Sequence, residues 1–452
     1  MEKIPFVVLG TGMAGLGAAH ALHSAGAPFV CYDKNNYLGG HTRSFRYDNG
    51  FVFDDGGHVS FTKNVHVQKI LAENVLGEFV EKRLTIDNFW QGHRIPHPVQ
   101  NNLRHLPSEL VVQIIADFMR AEFTRNDCKG HANSHANPKE SDQLSPQTYA
   151  DWLHKAYGAT FAKTFPMIYG KKYHTTAMEN LTTDWIGPRM YRPTIEEFIR
   201  AALPGTTAIP NYIDVFRYPL RGGFVSYLEP FGRRFPIQLS KQVIRLDPHE
   251  KVLQFADGES ICYGTVISTI PLPDLIPLIT DVPDDVLAAS QKLAFTTAYL
   301  VNLGVGRADF SDSVVTYFYD DDVIFSRINL PHLMSPNNAP GGCGCIQAEI
   351  YFSDKYKPFA GSPQSLIQRT INDLQRCKLL REGDSILLRE AAVNRYANII
   401  YDLERAPALR VVHDYLDEAR VRYCGRFGNW DHAWTDQAFV SGEKTARTAL
   451  DS

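Results

Sequence analysis

Long apolar runs are absent from this chain. None of its 452 residues lies in a segment approaching the roughly 20 residues that span a bilayer, so no integral membrane segment is expected. A basic excess is absent too. Lys and Arg total 46 against 50 Asp and Glu, for a net charge of −4, and nucleic acid is therefore not an expected partner. Cysteine is scarce, odd in number and scattered: seven residues, at 31, 128, 262, 343, 345, 377 and 424, with no framework spacing. That excludes a disulfide scaffold. The pair Cys343 and Cys345 lies in GGCGC with no second Cys or His pair at zinc spacing, so it reads as a turn and no metal site is expected. There is no internal repeat and no low-complexity block. The chain runs straight into its first strand with no room for a leader, and a cytoplasmic protein is expected. With 44% hydrophobic and 21% charged residues it has the composition of a soluble globular protein, with length for two domains or one elaborated domain.

What is present begins at Phe6. The run FVVLGTGMAGLG delivers Gly10, Gly12 and Gly15 directly after a short apolar strand. The first glycine permits a sharp turn, the second lets backbone approach a pyrophosphate, and the third lets the following helix pack closely on the strand. The pyrophosphate then meets unpaired N–H groups at the helix N-terminus. A helix-compatible stretch ends at Gly26, and a second strand, PFVCY, leads to Asp33, whose carboxylate suits both ribose hydroxyls of an adenosine.

Further along, apolar spacing predicts helices near 66–77, 107–125, 147–159 and 195–203. The polar, proline-interrupted stretch from Asn126 to Gln147 reads as an exposed loop, which gives His131 and His135 no common geometry for a metal. Gln238 to Ile270 reads as strands: KQVIRLD and KVLQFAD joined by a short turn, then GTVISTI closing on Pro271. A nucleotide domain with a second domain inserted is the expected organisation, over 1–65, 215–275 and 385–452 for the first and over 66–214 and 276–384 for substrate-binding regions.

A second glycine-rich stretch, Gly39-Gly40-His41-Thr42-Arg43-Ser44, precedes FVFDDGGHVSF. With it the chain resembles flavoproteins of the amine oxidase and protoporphyrinogen oxidase type, and GGHVSF resembles the signature of UDP-galactopyranose mutases. HRIPHPVQNNLRHLP, WIGPR, YPLRGGF, VISTIPL, FSRINL and GRFGNW follow in the order of that family, so the resemblance spans residue 6 to about 445. It implies an α/β fold, a Rossmann-type FAD-binding domain with an inserted helical and sheet substrate domain. It implies FAD held by Gly10, Gly12, Met13, Ala14, Gly15, Asp33, Lys34, Gly40, His41, Thr42, Gly57, His58, Val243, Gly425, Arg426 and Asp436, the last also suited to capping the C-terminal helix. It places His58, Arg327 and Arg426 at the reacting centre, and Gln100, Asn101, Arg189, Arg327, Tyr401 and His432 on the substrate.

The family's substrate diphosphate is held by tyrosines as well as arginines, and three of those tyrosine positions differ here. His432 stands six residues after Arg426, Met334 seven after Arg327, and Asn398 in YANIIYDLER with Tyr401 three residues on. Arginines kept and tyrosines changed imply an anionic small-molecule substrate, a nucleotide sugar, without fixing it as UDP-galactose. The resemblance then implies no net redox: reduced flavin N5 attacks the anomeric carbon and the sugar changes ring form, with NAD(P)H as a possible reductant. A hydride-transferring flavin oxidase or dehydrogenase is the second reading, and a cofactor-binding protein without turnover the third.

Overall fold

The computed structural model describes residues 3–131, 148–187, 190–205 and 215–452, with backbone alone for 125–131. Its first sheet has seven strands. Lys3–Leu9 lies parallel between Phe29–Tyr32 and Ser260–Ser268, with Phe6 opposite Phe29 and Val7 opposite Val266. Ile237–Gln238 extends one edge, the antiparallel pair Val243–Asp247 and Val252–Phe255 the other, and Arg422–Tyr423 pairs with Ser260–Ser268. Val7, Val8 and Leu9 are wholly or almost wholly buried, which fits a parallel strand covered on both faces. The short turn between KQVIRLD and KVLQFAD produces the expected antiparallel hairpin.

The helix Met13–Ser24 covers one face of this sheet, and the C-terminal helix Thr435–Leu450 lies on it. These two helices meet backbone to backbone. A Cβ on Gly17 would stand 2.0 Å from the Phe439 carbonyl oxygen, and one on Gly442 would stand 1.9 Å from that of Ala14.

The second sheet also has seven strands, in the order Ile386–Ile399, Phe295–Val305, Gly344–Phe352, Arg327–Asn329, Val315–Phe318, Ile86–Trp90 and His93–Pro96. By this pairing Ile386–Ile399 belongs with the second sheet, although the expected division put it in the nucleotide half. Its long antiparallel register with Phe295–Val305 decides this, because cross-strand pairing outweighs nearness in sequence to the GRFG turn. Along the rows of the sheet, Tyr317 faces Arg327 and Arg327 faces Glu349, while Tyr351 faces Ala298 and Ala298 faces Asn394.

Helices Tyr149–Tyr157, Ala159–Thr164, Pro166–His174 and Ile195–Ala202 form a layer with its own aromatic core, including Phe118, Phe161, Phe165 and Phe198. Thr148 and Thr194 start two of them with reciprocal capping boxes, the latter through Glu197. The helix Ser108–His131 runs six residues past the expected boundary, so the first part of the expected loop is helical and the rest lies outside the described residues.

The contact between first and last helices sets a direct test. Gly442→Ala forces two backbones apart and is expected to cost about 1–3 kcal/mol, as overpacking does. Denaturant unfolding of the purified protein should register this as a lower midpoint with an unchanged slope.

Candidate active site

One cleft of about 1110 Å³ runs between the two sheets and the helical layer. Its first half is the glycine turn. Gly10 has φ +105° and donates its N–H to the Tyr32 carbonyl at 2.8 Å, so the chain reverses where the strand ends. Gly15 packs against that turn: a Cβ there would lie 1.9 Å from the Gly10 oxygen. Gly12 is the N-cap of the helix and offers no side-chain cap, and the first turn carries no acidic residue. A Cβ on Gly12 would meet nothing nearer than the Gly39 oxygen at 3.8 Å. The helix N-terminus therefore opens its N–H groups and positive dipole end to the cleft, as a pyrophosphate requires. Asp33, buried at the end of the second strand, takes the Thr11 N–H at 2.8 Å, the Thr11 hydroxyl at 2.7 Å and the Asn35 N–H at 2.9 Å. Met13, Ala14, Lys34, Gly40, His41, Thr42, Gly57, Val243 and Gly425 border the same space. The fit of these residues to a dinucleotide rests on that open helix end together with the acid after the second strand, which borders the same cleft.

His58 donates from Nδ1 to the Gly56 carbonyl at 2.7 Å, because a carbonyl can only accept, which leaves Nε2 as an acceptor. Burial pushes its pKa down to about 4, and burial followed by the charge of Arg426 pushes His41 down to about 3. Both rings are neutral at pH 7.

The second half of the cleft is built on the sheet rows. Arg327 pairs through Nε with Glu349 at 2.7 Å, and Glu349 also accepts from Asn329 at 2.6 Å and from the Tyr351 hydroxyl. Burial opposes charge on both partners, but the pairing prevails: Arg327 is held well above its ordinary value and Glu349 below. Arg426 donates to Asn398 at 3.0 Å and lies 3.4 Å from Nδ1 of His432, while Asn398 also accepts from the Tyr173 hydroxyl at 2.6 Å. Tyr169, Tyr173, Tyr317, Tyr319 and Tyr351 all line the cleft, with Trp185 and His432 at the same end.

Those tyrosines were missed in the sequence. Tyr169 and Tyr173 stand four apart on the helix Pro166–His174, with rings 5.7 Å apart, and Tyr317 and Tyr319 stand two apart on an extended segment. Both spacings put side chains on one face and were the available signal.

Other expected residues fall elsewhere. Tyr401 is buried away from the cleft lining: it hydrogen-bonds Asp431, accepts the His432 N–H at 2.8 Å and stacks on the His432 ring at 4.9 Å. It positions His432. Gln100 and Asn101 lie in a short 3-10 turn outside the lining, with Gln100 bonded to the Tyr191 carbonyl at 3.3 Å. Asp436 sits inside the C-terminal helix, whose cap is Trp434, and holds the Thr62 hydroxyl at 2.5 Å rather than bordering the cleft. Met334 is 2% exposed and packs in the core around the first helix. Arg189 lies outside the described residues.

A largely parallel sheet carrying a glycine-turn cradle, with a second sheet across the same cleft, defines an α/β dinucleotide-binding fold. The family profile of flavin containing amine oxidoreductases matches residues 13–450, and the chain belongs to that family. Among solved structures it is similar to a reduced UDP-galactopyranose mutase, with TM-score 0.88, 23% identity and coverage of 99% of this chain and 96% of that one. It is also similar to a putrescine oxidase bound to putrescine, with TM-score 0.63, 14% identity and full coverage of both chains (100% and 100%). A CLA-producing fatty acid isomerase from P. acnes matches with TM-score 0.63 and 13% identity over 98% of each chain. Among the described residues no helix is long and apolar enough to cross a membrane.

The buried ionisable groups fix a pH dependence. His41, His58, His97 and His174 are depressed by burial to about 3, 4, 4 and 3, so between pH 6.5 and about 4 the unfolded chain binds protons that the fold does not. Stability then falls as pH falls. Asp54 and Asp55, raised by burial to about 6, act oppositely from about pH 6 to 3.8, where the fold holds the extra protons. The histidines outnumber the aspartates, and the expected net result is a lower denaturation midpoint at pH 4.5 than at pH 6.5.

Proposed function

We propose that this protein is an FAD-dependent sugar-nucleotide mutase that interconverts ring forms of a nucleotide sugar, UDP-galactopyranose and UDP-galactofuranose or a related pair. The observation that carries the reading is the presence of Arg327 and Arg426 on the wall of the same cleft as the dinucleotide cradle. The mutase among the structural neighbours supports it. When bound in its reduced form, FAD supplies the nucleophile for the anomeric carbon, and NAD(P)H is a candidate reductant.

The chain's own residues then have separable tasks. Glu349 fixes Arg327 and Asn398 fixes Arg426 before any ligand arrives, so neither guanidinium reorganises as charge develops on the departing diphosphate. Both retain the diphosphate for its return. The hydroxyls of Tyr173 and Tyr351 already donate to Asn398 and Glu349, so Tyr169, Tyr317 and Tyr319 are the ones that donate further hydrogen bonds to phosphate oxygens, a role the altered positions at His432, Asn398 and Met334 give up. Neutral His58, fixed by Gly56, presents an acceptor near both arginines without adding charge. The tyrosine-lined wall keeps water from the sugar while it is detached from its leaving group.

An oxidase acting on a cationic amine would have to place that amine beside two guanidinium groups, which disfavours this alternative. The test is turnover of UDP-galactofuranose by dithionite-reduced, FAD-loaded protein, read by anion-exchange chromatography. Interconversion without stoichiometric flavin oxidation is the expected result; oxygen consumption with an amine, and no conversion of any nucleotide sugar, would replace the proposal. Arg426→Ala should lower kcat/KM about 10–100-fold, the equivalent of one charged hydrogen-bonding group at 1.5–3 kcal/mol, with flavin absorbance retained.

A further inference from the structure

Outside the cleft, three ligand-type side chains converge where the first and last helices touch. His20 stands on Met13–Ser24, His66 on Val65–Asn74 and Glu443 on Thr435–Leu450. Nδ1 of His20 lies 2.8 Å and Nε2 of His66 2.9 Å from the same oxygen, Oε1 of Glu443, and the ligand atoms all lie within 4.8 Å of one another. None of the three borders the cleft.

We propose that His20, His66 and Glu443 form a divalent-cation site, suited to Zn(II), that clamps the dinucleotide helix to the C-terminal helix. Two imidazoles and one carboxylate are a borderline-soft donor set, and three protein ligands leave a fourth position for water. Ligand atoms of a tetrahedral zinc with bonds near 2.0–2.2 Å stand about 3.4 Å apart, so each nitrogen moves roughly half an ångström away from Oε1 while the two nitrogens, within 4.8 Å of each other, settle to the same spacing. Glu443 is 5% exposed and His20 21%, while His66 is 47% exposed and gives ion and water a way in. A carboxylate only accepts, so each ring presents an N–H to Glu443, and that nitrogen becomes a ligand once its proton has left it. Arg447, 3.8 Å from Oε1 and 66% exposed, swings toward solvent as the ion enters.

The cluster follows from the close approach already described. Gly17 and Gly442 let the backbones touch, and His20 lies one turn beyond the first glycine while Glu443 is next to the second. His20 is further fixed by Phe439 and Phe231, with rings 5.7 and 6.3 Å away. An ion there would join the helix whose N-terminus faces the cleft to the two helices that carry His66 and Glu443.

The experiment uses the full-length, tag-free flavoprotein, treated with chelator and dialysed, then titrated with Zn(II) by calorimetry and with Co(II) by visible absorption. One ion per chain and tetrahedral-type Co(II) bands are expected. Glu443→Gln and His66→Ala should each weaken binding at least about tenfold, the loss seen when even outer-sphere partners are removed, with flavin absorbance unchanged. Zn(II) should raise the melting temperature of the wild-type protein and not of His66→Ala, a solvent-exposed change that does not threaten folding. Absence of uptake, or equal uptake by wild type and His66→Ala, overturns the proposal.

Discussion

The constraint on which the rest of this molecule depends is the backbone-to-backbone packing of its first helix. Glycines on one side let it rest on the sheet, and glycines on the other let the C-terminal helix rest on it. Its N-terminus is thereby aimed into the cleft with its N–H groups uncapped. The same packing delivers Gly425 beside Ala14, where Ser441 of the last helix holds the Gly425 N–H at 3.1 Å, so that Arg426 follows immediately at the cleft wall. The open helix end and the placing of Arg426 at the cleft wall are two consequences of one helix contact.

Arg327 reaches the cleft by a different route. It is one of a row of side chains across antiparallel strands, between Tyr317 and Glu349, and its position is set by register. A buried ion pair of this kind contributes little to net stability, because desolvation offsets attraction. Its effect lies in geometry: the Nε edge is fixed on Glu349, so the guanidinium plane is set before ligand binding. Glu349 also offsets part of the charge of Arg327, while Arg426 is held on the same wall by the neutral Asn398.

The legible part of the sequence was the part whose chemistry is local. Gly10 and Gly15 are needed within one turn, by a positive φ and by a close backbone approach, and Gly12 and Asp33 fall at the helix start and after the next strand as their spacing suggests. The hairpin at 243–255 and the helices near 149–157 and 195–202 follow from short turns and apolar spacing in the same way. What spacing did not locate depends on which face of an element meets the cleft. Tyr401 and Asn398 are three residues apart, but Ile399 ends the strand between them, and only Asn398 turns to Arg426. Gln100 bonds Tyr191 and Asp436 bonds Thr62, and neither they nor Asn101 line the cleft. The cleft tyrosines come from one helix and two strands far apart in sequence, and the tertiary arrangement brings them to one cleft with Arg327. The cluster of His20, His66 and Glu443 was invisible for the same reason: two of its members are 423 residues apart.

The central claim is that a cofactor cradle and an anion site share one cleft. The measurement that tests it most directly is a titration of the reduced, FAD-containing protein with UDP, followed by quenching of tryptophan fluorescence, with Trp185 at the cleft wall as reporter. The account predicts saturable binding that weakens with ionic strength and falls at least about tenfold in Arg426→Ala. Absence of UDP binding, with a cationic or uncharged amine quenching instead, would contradict it.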